Sequence, residues 1–179
     1  MSYYRKQLDD WLDNLAVNCQ MVLDVGGAQN PIEGRTSIWN VEKYKILDLP
    51  EFDLEDEEAG TRYFHEADVI FCLEVFEYLI DPTQALENLA EMIRQTGRIY
   101  ATFQFVYPAH EEIALDSLRY TEYGIHRLAF HAGLQIKNTW YRIDKSGYLQ
   151  KFYSEDGMHP AKHYQHHNAT GFIIEFQRV

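Results

Sequence analysis

Apolar and polar positions follow two different periods along the chain, and the switches between them mark out its elements. Over residues 5–17, Leu8, Trp11, Leu12 and Leu15 recur at three- and four-residue spacing, which predicts a short amphipathic helix lying on the body of the protein. QMVLDV (20–25) is instead a nearly continuous apolar run stopped by Gly26 and Gly27, the pattern of a buried strand in a parallel sheet. KYKILDL (43–49) and ADVIFCLEV (67–75) repeat that pattern. The helical period returns in DPTQALENLAEMIRQTG (81–97), where Asp81 can cap and Pro82 takes the first helical position. Ala85, Leu86, Leu89, Met92 and Ile93 make its core stripe, and Gly97 is expected to close it. RIYATFQFVY (98–107) reads as a strand, and TEYGIHRLAFHAG (121–133) as a helix started by Thr121 and ended by Gly133. LQIKNTWYRI (134–143) and TGFIIEFQRV (170–179) read as the closing strands.

Strands alternating with helices predict an α/β fold, a Rossmann-like doubly wound, mostly parallel sheet. The last two strands follow one another with no clear helix between them, so an antiparallel C-terminal strand is expected. A chain of 179 residues is expected to form a single domain, with residues 1–18 as an N-terminal amphipathic helix and 144–169 as a loop or lid.

Composition narrows the function classes. Hydrophobic residues are 46% of the chain, enough for a packed core. The net charge of −12 sets the surface against a phosphate backbone, so nucleic acid and anionic membranes are poor partners and a neutral or cationic small molecule is the better one. No apolar run is long enough to span a bilayer, and MSYYRKQLDDWLDNL has no signal-peptide core. Cys19 and Cys72 do not make a disulfide framework, which together with the missing leader points to a cytoplasmic setting. Six of the eight residues from Glu51 to Glu58 are acidic; they make either a solvated loop or, less in keeping with their spacing, a divalent-ion loop.

In an open parallel sheet, ligands bind at the carboxyl ends of the strands. VLDVGG ends the first strand in a turn whose two glycines allow positive φ and close backbone approach. Asp48, ending the second strand about twenty residues after Gly26, is placed to accept hydrogen bonds from a ribose, with Glu42 as the fallback. His110 follows the strand FQFVYP and is the candidate base, with Glu111 or Glu112 to orient it; a surface histidine is the alternative. The segment 144–169 carries His159, His163, His166 and His167, which suit a lid, a solvated loop or, on a helix, a metal site; Pro160 and Gly157 argue for a loop, and no metal is expected.

Three stretches resemble the class I S-adenosylmethionine-dependent methyltransferases. VLDVGGAQNP is similar to that family's glycine-rich first motif, in the variant where Asn-Pro follows the turn. DVIFCLEVFEYLIDPTQALENLAEMIRQTGRIYATFQF is similar to its fourth-strand to fifth-strand segment, and PAHEEIALDSLRYTEYGIHRLAFHAGLQI to the region after the fifth strand in one subgroup. The resemblance implies that Gly26, Gly27 and Ala28 approach the methionine part of the cofactor, that Asp24 lies near its ammonium, that Asp48 takes the ribose, and that Leu73 and Glu74 line it. It places Asp116, Arg119 and Tyr120 near the substrate mouth and Tyr78 in the substrate pocket. A plain Asp116–Arg119 pair one helical turn apart, and plain packing for Tyr78, are the alternatives. There are departures: Ala28 replaces a glycine, Tyr78 replaces the histidine of an EH pair whose glutamate is Glu77, and the segment after Asp48 is too short for the usual strand and helix of the adenine pocket. The sheet is therefore expected to be shortened in the middle. The implied function is methyl transfer from S-adenosylmethionine to a small-molecule or glycan-type hydroxyl or amine, with S-adenosylhomocysteine as product. The alternative is a non-catalytic binding or assembly module on the same fold. A nicotinamide enzyme is disfavoured because G-x-G-x-x-G is absent.

Overall fold

The computed structural model describes residues 2–29, 32, 38–109, 116–146, 149 and 168–179. Its elements run α1 (Tyr3–Asn14), β1 (Asn18–Val25), β2 (Asn40–Leu47), β3 (Ala67–Cys72), α2 (Pro82–Met92), β4 (Ile93–Gln104), α3 (Glu122–His131), β5 (Leu134–Ile143) and β6 (Ala169–Arg178), with 3-10 turns at Gly60–Tyr63 and Phe76–Tyr78. They build one six-stranded sheet in the order β2-β1-β3-β4-β6-β5. Strands β2, β1, β3 and β4 are parallel, and β6 runs antiparallel between β4 and β5. The α/β sheet with its antiparallel C-terminal strand is as the sequence predicts.

Strand periodicity sorts side chains onto two faces. One face carries Leu23, Ile70, Ile99, Phe103, Ile174 and Phe176, packed with Leu86, Leu89, Ile125 and Ala129 of α2 and α3. The other carries Val22, Val69, Phe71, Tyr100 and Ile173 beneath Leu8 and Leu12 of α1. Between β1 and β2 the described residues contain no helix. Trp39 covers the sheet there, stacked on Phe71 at 5.1 Å, with its ring N–H donating to the Leu15 carbonyl at 2.6 Å.

Two local readings need correction. Helix α2 does not run to Gly97: it ends at Met92, and the N–H of Ile93 caps it on Leu89 O. Ile93 is fully buried and pairs with Ala67, so the tertiary sheet claims it for β4. Gly97 sits inside that strand, where a Cβ would press on the Ile93 side chain and the Asp68 carbonyl. The acidic stretch 51–58 is more than a solvated loop, because Phe52 and Leu54 are buried in the core. Asn88 of α2 ties the stretch down, its amide donating to the carbonyls of Leu54 and Asp56 at 2.8 Å and its oxygen accepting from Gly60 N. Among the described residues no helix is long and apolar enough to cross a membrane.

Candidate functional site

The carboxyl ends of β1, β3 and β4 carry two adjoining arrangements. The first is the glycine turn. Gly26 has φ +78° and donates from its N–H to Leu47 O at 2.8 Å. A Cβ on Gly26 would overlap Val75 Cγ2, and one on Gly27 would overlap the Asp24 carboxylate. Both positions therefore need glycine, for close approach and, at Gly26, for its left-handed conformation. The positive φ falls at Gly26, so Ala28 adopts an ordinary conformation where the motif it resembles has glycine. Ala28 N donates to Asp48 Oδ2 at 2.9 Å, and Leu49 N to Asp48 Oδ1 at 2.8 Å. Asp48 thus closes the turn from the end of β2 and keeps lone pairs on both oxygens for a further donor. Asp24 is 3% exposed; its carboxylate accepts from the Tyr44 hydroxyl and from Ile32 N. Burial pushes its pKa up, and the bond from Tyr44 works against that rise. Glu42 lies near the other end of β2, lining a cavity of about 390 Å³ with Gln20, Met21, Lys43, Glu66 and Arg94, so it is no alternative to Asp48.

The second arrangement is a buried polar cluster. Beyond half-buried Leu73, Glu74 takes φ +58°, rare for a residue with a side chain and a sign of backbone strain at a site. Its N–H donates to Thr102 Oγ1 at 2.6 Å. Its carboxylate receives both terminal nitrogens of Arg142, at 2.5 and 3.4 Å. Arg142 is 1% exposed; it also donates to Tyr4 O at 3.0 Å and lies 3.2 Å from the centre of the Tyr4 ring, which in turn packs on Tyr107 at 4.5 Å. Gly171 pairs with Gln104 on one side and with Arg142 on the other. The space that its missing side chain leaves is filled by the Tyr4 hydroxyl, which a Cβ would overlap.

Glu77 sits beneath, fully buried, accepting from Gln104 Nε2 at 2.5 Å. Burial raises its pKa to about 8; the nearby Glu74 and Asp116 charges add to the rise and the bond from Gln104 opposes it. The Glu77 carbonyl accepts from Ser117 N and Leu118 N, which draws the segment after β4 onto the cluster. In that segment Arg119 pairs with Asp116 at 2.6 Å and donates to Tyr107 O at 3.1 Å. Tyr120 is buried, with its hydroxyl donating to Phe76 O at 2.7 Å, so its body belongs to the core. Tyr78 is half-buried, its phenol pushed up to about 12 by burial and then by Glu77. His110, Glu111, Glu112, His159, His163, His166 and His167 lie outside the described residues.

The two arrangements share a border, because the residue against which Gly26 packs is Val75, next to Glu74. The structure thus brings together Gly26, Gly27, Ala28, Asp24 and Asp48 on one side, and Glu74, Tyr78, Asp116 and Arg119 on the other. Nothing in the local sequence pattern places Tyr4, Tyr44, Thr102, Gln104 or Arg142 in the site or gives Glu77 a role there. Two signals were present: an arginine in the aromatic run TWYRI, and a glycine opening the apolar run GFIIEF. A second cavity of about 400 Å³ lies apart from this site, against Tyr123, His126, Arg127, Phe130 and His131 of α3. Among the described residues no cluster of His, Cys, Asp and Glu could hold a metal ion.

No family model and no curated protein matches the sequence. Solved structures do match in fold. A methyltransferase of Haloferax volcanii, solved in complex with the Trm112 methyltransferase activator, aligns over 98% of this chain and 89% of its own at 15% identity and a TM-score of 0.57. An S-adenosylmethionine-dependent methyltransferase from Mesorhizobium loti aligns over 98% of both chains at 9% identity and a TM-score of 0.59. The [4+2]-cyclase SpnF aligns over 96% of this chain and 80% of its own at 10% identity and a TM-score of 0.64. The chain has the fold of the class I S-adenosylmethionine-dependent methyltransferases.

Proposed function

We propose that this protein is an S-adenosylmethionine-dependent methyltransferase acting on a small-molecule or glycan-type hydroxyl or amine. The observation that carries this reading is the border between the two arrangements. A glycine turn closed by an acidic residue at the end of β2 meets, through Val75, a buried cluster of acids, arginine and phenols. The donor set fits the cofactor: Gly26 and Gly27 leave no Cβ in its way, Asp48 keeps lone pairs for ribose hydroxyls, and Asp24 supplies a carboxylate for the ammonium. When bound, the cofactor supplies an activated methyl group on a sulfonium. The chain's own residues position the acceptor, exclude water and take a proton where the acceptor holds one. Asp116, Arg119 and Tyr78 belong to the acceptor side in this reading, with His110 as a candidate base.

One observation favours the non-catalytic alternative. Asp24 and Asp48 are each already engaged within the chain, and a shared fold does not carry a shared reaction. Calorimetric titration with S-adenosylmethionine and S-adenosylhomocysteine decides between the two. Micromolar binding, weakened about tenfold or more by Asp48→Ala, is the expected result; a tenfold loss is ~1.4 kcal/mol. Folded protein that binds neither compound up to millimolar concentration overturns the proposal and leaves the scaffold reading.

A further inference from the structure

The buried side-chain polar atoms that lack a hydrogen-bond partner among the described residues are Tyr4 OH, Glu77 Oε2, Gln104 Oε1 and Arg142 Nε. All four belong to the cluster at the ends of β3 and β4, although α1, the Phe76–Tyr78 turn, β4 and β5 contribute one each. Unsatisfied buried polar atoms are costly, and their gathering in one place marks a position that something else is meant to complete. Glu74, in its strained conformation, borders the same place.

The chemistry of the four atoms selects their ligand. Arg142 Nε–H can only donate, Gln104 Oε1 can only accept, and the Tyr4 hydroxyl can do both. The carboxylate–guanidinium pairs Glu74–Arg142 and Asp116–Arg119 are internally neutral, which leaves Glu77 as the acid without a cationic partner. Once Glu77 is ionised, the state in which it can take a proton, an anionic acceptor would be set against its carboxylate. A primary amine spends its single lone pair on the methyl carbon and has none left to accept from Arg142 or Tyr4. A hydroxyl oxygen has two lone pairs and a proton: one pair attacks, the other accepts, and the proton is donated. Resting on the methyltransferase reading above, we propose that this cluster is a hydroxyl-recognition site, that the acceptor is a neutral alcohol or phenol, and that Glu77 is the catalytic residue that takes its proton.

The step balances. The acceptor oxygen bonds to the methyl carbon as the methyl–sulfur bond breaks and its electron pair stays on sulfur; the hydroxyl proton passes to Glu77 Oε2 and from there to solvent after product leaves. A base works best when its pKa lies near the operating pH, and burial raises Glu77 into that range. The groups facing it are Cys72 and Glu74 at the end of β3, Tyr78 on its own turn, Tyr4 of α1, and Asp116, Arg119 and Tyr120 after β4. Tyr4, 8% exposed on the first turn of α1, is the most exposed of the four residues and so the side from which an acceptor would approach.

The test uses phenol, catechol and methyl glucoside as hydroxyl probes, aniline and benzylamine as amines, and benzoate as a carboxylate. Binding is followed by ligand-observed NMR on protein saturated with S-adenosylhomocysteine, transfer with tritiated-methyl cofactor, and Glu77 by carboxyl-labelled carbon NMR. Expected are binding and methylation of a hydroxyl probe, a rate that rises with pH through about 8, and a Glu77 signal that titrates there and shifts when the probe binds. Glu77→Gln can exchange two hydrogen bonds with Gln104, so it is expected to fold and bind cofactor normally while losing transfer by about a hundredfold or more. Preferred transfer to an amine or to benzoate, or near-normal transfer by Glu77→Gln, overturns the proposal. So does a Glu77 signal that no hydroxyl probe moves at millimolar concentration, whether or not cofactor binds. Failure to bind S-adenosylhomocysteine overturns the methyltransferase reading instead.

Discussion

The glycine turn and the buried cluster meet at Val75, yet they are assembled differently. The turn is nearly local: its glycines follow β1 directly, and Asp48 reaches back to Ala28 over 20 positions. The cluster is global: Arg142 donates to Tyr4 O across 138 positions and to Glu74 across 68. A turn held mainly by backbone geometry can form as soon as two parallel strands pair. The cluster exists only once α1, β3, β4, β5 and β6 are all in place, and its charges are buried at a desolvation cost that the pairing has to offset. Damage to the turn should therefore show first in ligand binding, and damage to the cluster first in stability.

The largest stability effect should come from Arg142→Leu, which leaves the Glu74 carboxylate without its partner. Urea unfolding is expected to show a loss of about 3–5 kcal/mol. Glu74→Gln added to that variant should recover part of the loss, and strictly additive losses would mean that the pair is not coupled. In the turn, Gly26→Ala should cost about 2 kcal/mol, from the left-handed φ and the overlap with Val75 Cγ2. Val75→Ala should relieve the overlap and leave the φ cost, while cofactor affinity stays low in calorimetry. In the cluster, Gly171→Ala should cost about 1–2 kcal/mol through its overlap with the Tyr4 hydroxyl. Tyr4→Phe in the same chain removes that oxygen and should restore most of the loss. The Phe103 carbonyl, 2.9 Å from the added carbon, keeps the rescue incomplete.

The smallest effect per step is the pH dependence. Glu77 is raised from 4.5 to about 8, so the folded protein holds a proton there that the unfolded chain has released. Its contribution is fully present below about 4.5 and is lost as pH rises through 8. Stability should fall across that window with a slope of at most about 1.4 kcal/mol per pH unit. Glu77→Gln should flatten that fall in denaturant titrations from pH 5 to pH 9. An unchanged slope would place the carboxyl outside the low-dielectric cluster and weaken its contrast with the turn.

Features read correctly from the sequence were those whose cause lies within a few residues. Asp81 accepts from Thr83 N and Gln84 N, and Thr121 from Gly124 N, as helix caps do. Gly26 and Gly133 carry the positive φ that a strand-ending turn and a helix end require. Asp24, Asp48 and Glu74 lie at the strand ends to which the apolar runs lead. Where the cause was distant the pattern misled: Gly97 resembled a helix stop, but strand pairing decided that Ile93 and Gly97 extend β4.

The hydrophobic pattern by itself thus determined the order of elements, the parallel sheet and the place of the glycine turn, because each depends on local period, capping and backbone freedom. Only the tertiary structure decided that a tyrosine from the first turn of α1 fills the space beside Gly171. It likewise decided that Arg142 forks onto Glu74 and that Glu77 lies buried against Gln104. Burial and charge pairing between residues far apart in the chain have no period to read; they come into being when the strands and α1 close on one another.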